Sequence, residues 1–307
     1  MKINCYYDFP VGQIWSIPYY FDSIYNMLVK TYPNITFEKI NNYDINKTKQ
    51  NGPCFMFNHH WMVIENEATK KFFVISYWDD LNCASGDNYI DDIDGYKWEE
   101  VFTSCGVHNH QIKYIPFSYV LPHTNSESLI EKYNSIDNKD RKIPEKLNFR
   151  GFLYSFREVL SKDNRFNVIN KYENHLDYED YISELNDNGI NLSLNGAAEI
   201  CFRDMEILGV GSALFREKLR VKFHDDLIPD YHYISYDLSS IQDKLYDTET
   251  YYKMASDILY ERFLEVKNNT DYVNQVAKNG KEWYENNVPI KKHSEIAKKI
   301  INIKKLF

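Results

Sequence analysis

The chain reads as an α/β protein of two Rossmann-like units facing a central cleft, with carboxyl-terminal helices packing back toward the first unit. Three observations predict this. Short runs rich in β-branched and aromatic residues alternate with helix-length amphipathic runs through residues 1–122. A polar stretch at 123–146, "HTNSESLIEKYNSIDNKDRKIPEK", has linker character and breaks that rhythm, which then resumes over 147–285. At 307 residues and 36.6 kDa the chain is also longer than a single core usually serves.

Taken in order, "MKINCYY" predicts a first strand, "YYFDSIYNMLVKTY" a helix, and "ITFEKI", "CFMFNHHWMVI", "KKFFVISYW" and "HQIKYIPFSYVL" further strands. After the polar stretch, "KLNFRGFLYSFREVLSKDNRFNVI" predicts a strand, a turn at Arg150-Gly151, a helix and another strand. The run from Asp180 to Glu217 reads as helix, strand, helix, strand, and "HYISYDLSSIQDKL" starts with one more strand. The remainder is helical, closing with residues 286–307. Two open parallel sheets of this kind place a ligand crevice at the carboxyl ends of their strands.

Composition removes several function classes. With 43% hydrophobic and 16% aromatic residues, 26 of them Tyr, the chain has the material for a packed core. A net charge of −9 lacks the basic surface that a nucleic-acid backbone requires, so no nucleic-acid partner is expected. Five scattered cysteines, Cys5, Cys54, Cys83, Cys105 and Cys201, carry no CxxC spacing and point to a reducing, cytoplasmic setting, where Asn34-Ile-Thr is not a glycosylation site. Neither a leader nor a membrane span is expected. The basic tail "IKKHSEIAKKIINIKKLF" fits either a solvated helix face or a peripheral contact with an anionic membrane.

The chemistry concentrates in "GAAEICFRDMEILGVGSALF", residues 196–215. On a helix Glu199, Arg203 and Glu206 fall within roughly 60° of one another, either as surface pairs or as a polar face turned to a ligand. Entry from a strand through Asn195-Gly196 sets the helix N-terminus at a strand's carboxyl end, where an anion is favoured. Arg203 suits a bidentate phosphate contact, and a carboxylate one turn on suits the hydroxyls of a ribose. Gly209 and Gly211 permit a tight return. Arg150 at its strand-to-helix turn is a second anion candidate, while Arg157, seven residues on, reads as structural or solvated. His232 stands between aromatics and fits a core histidine as well as a ligand contact.

"EILGVG" resembles the Glu-Ala-x-Ala-x-Gly element that holds the ribose in many GT-B-type glycosyltransferases. "NFRG", "LNGAAEICFRDMEILGVGSALF" and "LIPDYHYISYDLSSI", in that order, resemble the carboxyl half of the fungal capsule xylosyltransferase and protein O-glucosyltransferase family, over roughly residues 146–285. Asn195-Gly196 replaces the family's Asp-Gly, and Cys201 replaces its Ser. The resemblance implies a GT-B fold and transfer of a sugar, with inversion, from a nucleotide diphosphate donor, UDP-sugar favoured and GDP-sugar second, to a hydroxyl on a glycan, protein or small molecule. It puts Arg150 and Arg203 near the donor diphosphate, Glu206 on the ribose, and Pro229, His232 and Tyr233 beside the nucleotide-sugar, with Gly151, Asn195 and Gly196 among the donor-binding residues. Residues 147–285 then form the donor domain, and residues 1–122 the acceptor side.

A base that takes the acceptor's proton is expected from the amino half, across the cleft. "NHHW" offers His59 and His60, "YWDD" offers Asp79 and Asp80, and Asp8 follows the first strand. Asp79, Asp80 and His59 are the leading candidates. Cys105, His108 and His110 lack a fourth ligand with recognisable spacing, so neither a resident metal nor a tightly bound cofactor is expected. A nucleotide-sugar epimerase or hydrolase, or a carbohydrate-binding protein without chemistry, fits the same residues as an alternative.

Overall fold

The computed structural model describes residues 2–10, 12, 14–41, 60–77, 97–103, 114–134, 141–196, 199–242 and 246–307. Within them the chain is a mixed α/β protein. Its first sheet is built from β1 (Lys2–Tyr7), β2 (Thr36–Asn41), β3 (Trp61–Asn66), β4 (Lys71–Ser76), β5 (Lys97–Thr103) and β6 (Tyr114–Pro116), in the order β2-β1-β3-β4-β5-β6. The expectation of an open parallel sheet needs correction here. β1 pairs in parallel with β2, and β4 with β5, but β3 runs antiparallel to both β1 and β4. The cause is local: only Glu67 to Lys70 separate β3 from β4, with Lys70 at φ 58, and so short a link makes a hairpin rather than a crossover. Strand β5 is a further element that the sequence reading omitted.

Helix α1 (Ile17–Thr31) buries Ile17, Tyr20, Phe21, Ile24 and Leu28, the recurrence of a one-faced helix, against this sheet. The end of the chain covers the same core. Helix α9 (Ile290–Ile300) packs on α1, and Ile296, Ala297, Ile301, Ile303 and Leu306 join the buried cluster of β1, β3 and β4. Asn66 Nδ2 and Thr69 Oγ1 both donate to the Leu306 carbonyl, at 3.0 and 2.8 Å. The Tyr20 hydroxyl accepts from the Leu121 amide and donates to the Val288 carbonyl, tying together the two places where the chain passes between halves.

His293 of α9 lies buried in this core, with Nε2 donating to the Tyr119 carbonyl at 2.9 Å and Nδ1 accepting from the Tyr77 hydroxyl at 3.0 Å. Burial pushes its pKa down to about 3. Unfolding lets the ring take up a proton that the native state refuses, so stability is full above pH 6.5 and falls with pH below it. This residue alone is expected to cost about 2 kcal/mol between pH 7 and pH 5. Urea unfolding at the two pH values checks this, and His293→Gln is expected to flatten the dependence.

The second half follows the predicted order. β7 (Asn148–Gly151) leads through α3 (Phe156–Ser161) to β8 (Asn167–Asn170), its parallel partner. Then come α4 (Tyr178–Asp187), β9 (Ile190–Leu192), α5 (Phe202–Val210), β10 (Ala213–Glu217) and β11 (Ile234–Tyr236), with a parallel sheet in the order β11-β10-β9. Short α6 (Ser239–Gln242) and the long α7 (Thr248–Val266) and α8 (Thr270–Asn287) follow. Both described parts of the stretch read as a linker are packed. They hold α2 (Ser126–Tyr133), whose Ile130 is buried with residues of α4 and α5, and Arg141, whose guanidinium bonds the Val210 and Gly211 carbonyls and Asn186 Oδ1. Gly211, at φ 75, ends α5 in the left-handed conformation that glycine tolerates. At Gly209 a Cβ would approach Ile130 and Tyr284 to 2.9 and 3.0 Å, so its missing side chain lets α2 and α8 close on α5.

No helix among the described residues is long and apolar enough to cross a membrane. In α9 the apolar residues Ile296 and Ala297 are spent on the core, while Lys291, Lys298 and Lys299 remain exposed.

Candidate functional site

A cleft of about 670 Å³ opens where β7, β8 and β9 end. Residues ending or following each strand line it: Gly151 at the end of β7 with Phe152 and Tyr154 after it, Lys171 after β8, and Gly196 after β9. This is the carboxyl edge at which parallel strands expose a crevice. Helix α4 adds Tyr178 and Tyr181, α5 adds Phe202, Arg203 and Glu206, and Trp15, Pro122 and His123 come from the amino half.

Two of its arginines are buried and unmatched by acid. Arg203 is 9% exposed; its Nη2 donates to the Arg150 carbonyl, and its guanidinium lies 4.6 Å from the Phe149 ring centroid and 5.3 Å from that of Tyr181. Arg157 is also 9% exposed, with Nη2 donating to the carbonyls of Leu194 and Asn195 at 2.8 and 2.9 Å. Its Nε is buried with no partner. Among the described residues neither guanidinium has a carboxylate within ion-pair distance. Burial, with Arg203 adding to it, pushes the Arg157 pKa down. Glu206 and Asp204 lie close enough to be felt by Arg203 and Arg157, but neither pairs with them, so burying the two cations remains costly and an anion in the cleft offsets part of that cost.

Arg150 behaves differently. It lines the cleft, but its guanidinium is matched by Glu184 at 2.6 Å, the ordinary ion pair rather than a free anion contact. Glu206 is buried in the wall, and its two carboxylate oxygens accept the Tyr178 and Tyr181 hydroxyls at 2.9 and 3.0 Å. Burial raises its pKa. The one-faced triad also needs correction, because α5 begins at Phe202. Glu199 lies before the helix and pairs with Arg220 at 2.8 Å. The helix N-terminus is already served, since Asp204 Oδ2 accepts the Cys201 amide at 2.6 Å.

Asp204 also forms a buried pair with Arg216 at 2.9 Å. Arg216 in turn donates to Asn195 Oδ1 at 3.0 Å and to the Glu199 carbonyl, while Asn195 Nδ2 donates to Glu217. Asn195 thus anchors the segment that brings Gly196 to the cleft. His232 and Tyr233 are not brought there: His232 Nδ1 accepts the Ile228 amide and the Tyr233 hydroxyl accepts the Leu219 amide, both holding their own loop. His59, Asp79, Asp80, Cys105, His108 and His110 lie outside the described residues.

The sequence reading set Arg157 aside and passed over Lys171, Tyr178 and Tyr181. The tyrosines carry a signal, since their spacing of three puts both on one helix face. Arg157 carries none, because its place depends on Ser155. That residue, at the N-cap position of α3, holds φ 49 and ψ −127, a strained conformation for a side-chain-bearing residue, between Tyr154 and Arg157, which line the cleft. Ser155→Gly is expected to raise stability by about 1 kcal/mol, read from the denaturation midpoint.

His123 stacks on Trp15, with ring centroids 5.2 Å apart and an interplanar angle of 22°, and meets Tyr178 edge-on at 4.6 Å. Burial, and then nearby Lys171, lower its pKa, so it stands neutral at pH 7. The chain matches no known protein-family model and no curated protein.

Proposed function

We propose that the cleft binds a nucleoside diphosphate sugar and that the protein is a cytoplasmic glycosyltransferase, passing the sugar to a hydroxyl acceptor. One observation carries the reading: Arg157 and Arg203, both nine-tenths buried, stand in one cleft, and neither makes an ion pair among the described residues. Their forks suit phosphate oxygens, and Lys171 adds a third cation. In this reading the two halves are the units of a GT-B-type enzyme, with the diphosphate on the carboxyl half.

The acceptor oxygen attacks the anomeric carbon as its bond to the diphosphate oxygen breaks. The arginines receive the charge that develops on the leaving diphosphate, and no metal is required for that neutralisation. A base in the amino half takes the acceptor's proton. Asp79, Asp80 and His59 remain its candidates, and His123 is the titratable side chain of that half lining the cleft among the described residues.

Thermal unfolding against UDP, GDP and their sugars, with no metal added, tests the reading, since a ligand of the native state raises the transition. A selective shift, followed by transfer or slow hydrolysis of the same donor, is the expected result. Absence of any nucleotide shift overturns it.

A further inference from the structure

We propose that the mouth of this cleft is a saccharide platform, on which Trp15, Phe152 and Tyr154 stack the sugar rings of the acceptor. The proposal deepens the transferase reading and rests on it for the word acceptor alone.

Folded chains normally turn large aromatic rings inward or scatter the exposed ones singly. Here four of the seven exposed aromatic residues among the described residues collect in one place. Trp15, Phe152 and Tyr154 line the cleft at 44%, 37% and 41% exposure, and Tyr172, 79% exposed, packs against Phe152 at 4.6 Å.

Each lining ring is also held from one side. Trp15 lies on His123, the Arg157 guanidinium lies 4.5 Å from the Tyr154 centroid, and Lys171 Nζ lies 3.9 Å from that of Phe152. Rings backed in this way keep their orientation before a ligand arrives, so little ordering is charged against binding. A pyranose presents a face of weakly positive C–H groups to the negative face of an aromatic ring and its hydroxyls to the sides. Lys171, His123 and His175, all lining the same cleft, provide polar partners there.

A nucleobase fits less well. One base covers one ring face, whereas these rings come from both halves of the chain and Tyr172 continues the surface outward. A row of ring faces suits successive sugar units. Tyr154 lies against the Arg157 guanidinium, so a saccharide on these rings lies beside the site proposed for the donor diphosphate.

Calorimetric titration of the full chain with laminaripentaose, cellopentaose, maltopentaose and chitopentaose tests the platform. At least one is expected to bind, with affinity falling about tenfold or more in Trp15→Ala and in Phe152→Ala. Tyr231→Ala removes an exposed aromatic ring away from the cleft and is expected to leave binding unchanged. Binding of none of the four at millimolar concentration, or binding indifferent to Trp15 and Phe152, overturns the proposal. So does a loss of UDP affinity in Trp15→Ala with saccharide affinity intact, which would give the rings to the base. If saccharide binds through Trp15 while no nucleotide binds, the platform stands and the transferase reading fails.

Discussion

Arg203→Ala is expected to lower affinity for a nucleoside diphosphate about 100-fold while costing the unliganded protein little stability beside what the loss of a buried ion pair costs. A charge-assisted, two-pronged contact to phosphate is worth about 2–4 kcal/mol, and each 1.4 kcal/mol is a factor of ten. The stability half of the expectation separates a binding arginine from a structural one. Arg203 makes no ion pair among the described residues, and its guanidinium donates to the Arg150 carbonyl. Removing it breaks no ion pair, although buried Glu206 loses the nearby positive charge that steadies its carboxylate. A structural arginine would unfold the chain when lost; this one loses ligand. Arg203→Lys keeps the charge without the fork and is expected to recover only part of the affinity. Titration calorimetry and urea unfolding on the same three proteins check both halves.

Asp204→Ala is expected to act in the opposite sense, costing about 3–5 kcal/mol of stability, because it leaves Arg216 charged and unpaired in the interior. The pair is sealed, with Arg216 2% and Asp204 0% exposed at their side chains. The same substitution removes the acceptor of the Cys201 amide. It also frees the guanidinium that holds Asn195 and, through it, the Gly196 wall of the cleft. A large drop in the denaturation midpoint checks this. Asp204→Leu combined with Arg216→Met, which removes both charges, is expected to recover much of the loss.

These two residues also mark the boundary of what the sequence discloses. The helix around 202–210 was legible as a helix, whereas its depth was not: eight of its residues, Arg203 to Val210, are buried, although their charges also fitted a surface stripe. Its return at Gly211 was legible too, and so was the strand–helix–strand unit at 148–170. Periodicity and glycine placement are local properties, and these elements depend on little else. The partners of its charged residues were not legible. Glu199 finds Arg220, Asp204 finds Arg216 and Arg150 finds Glu184 across gaps of 12 to 34 positions, distances at which no helical spacing applies. Helical geometry alone put Glu199 beside Arg203, but the capped start at Cys201 sends it elsewhere. The antiparallel β3 was hidden for a related reason, because "ENEATK" has none of the Asn-Gly or Gly-Gly signals of a tight hairpin. His232 and Tyr233 matched a motif by order, yet their loop is folded back on Ile228 and Leu219.

The Tyr20 hydroxyl, bonded to the Leu121 amide and the Val288 carbonyl, has a mechanical meaning. It works as a latch: one oxygen fastens the segment leaving the first sheet near residue 121 to the one returning near residue 288, and the Ser118–His224 bond and the Tyr119–Phe202 contact at 5.5 Å fasten further points beside it. Trp15 and His123 therefore stand clamped in place opposite the arginines rather than hung on loose chain.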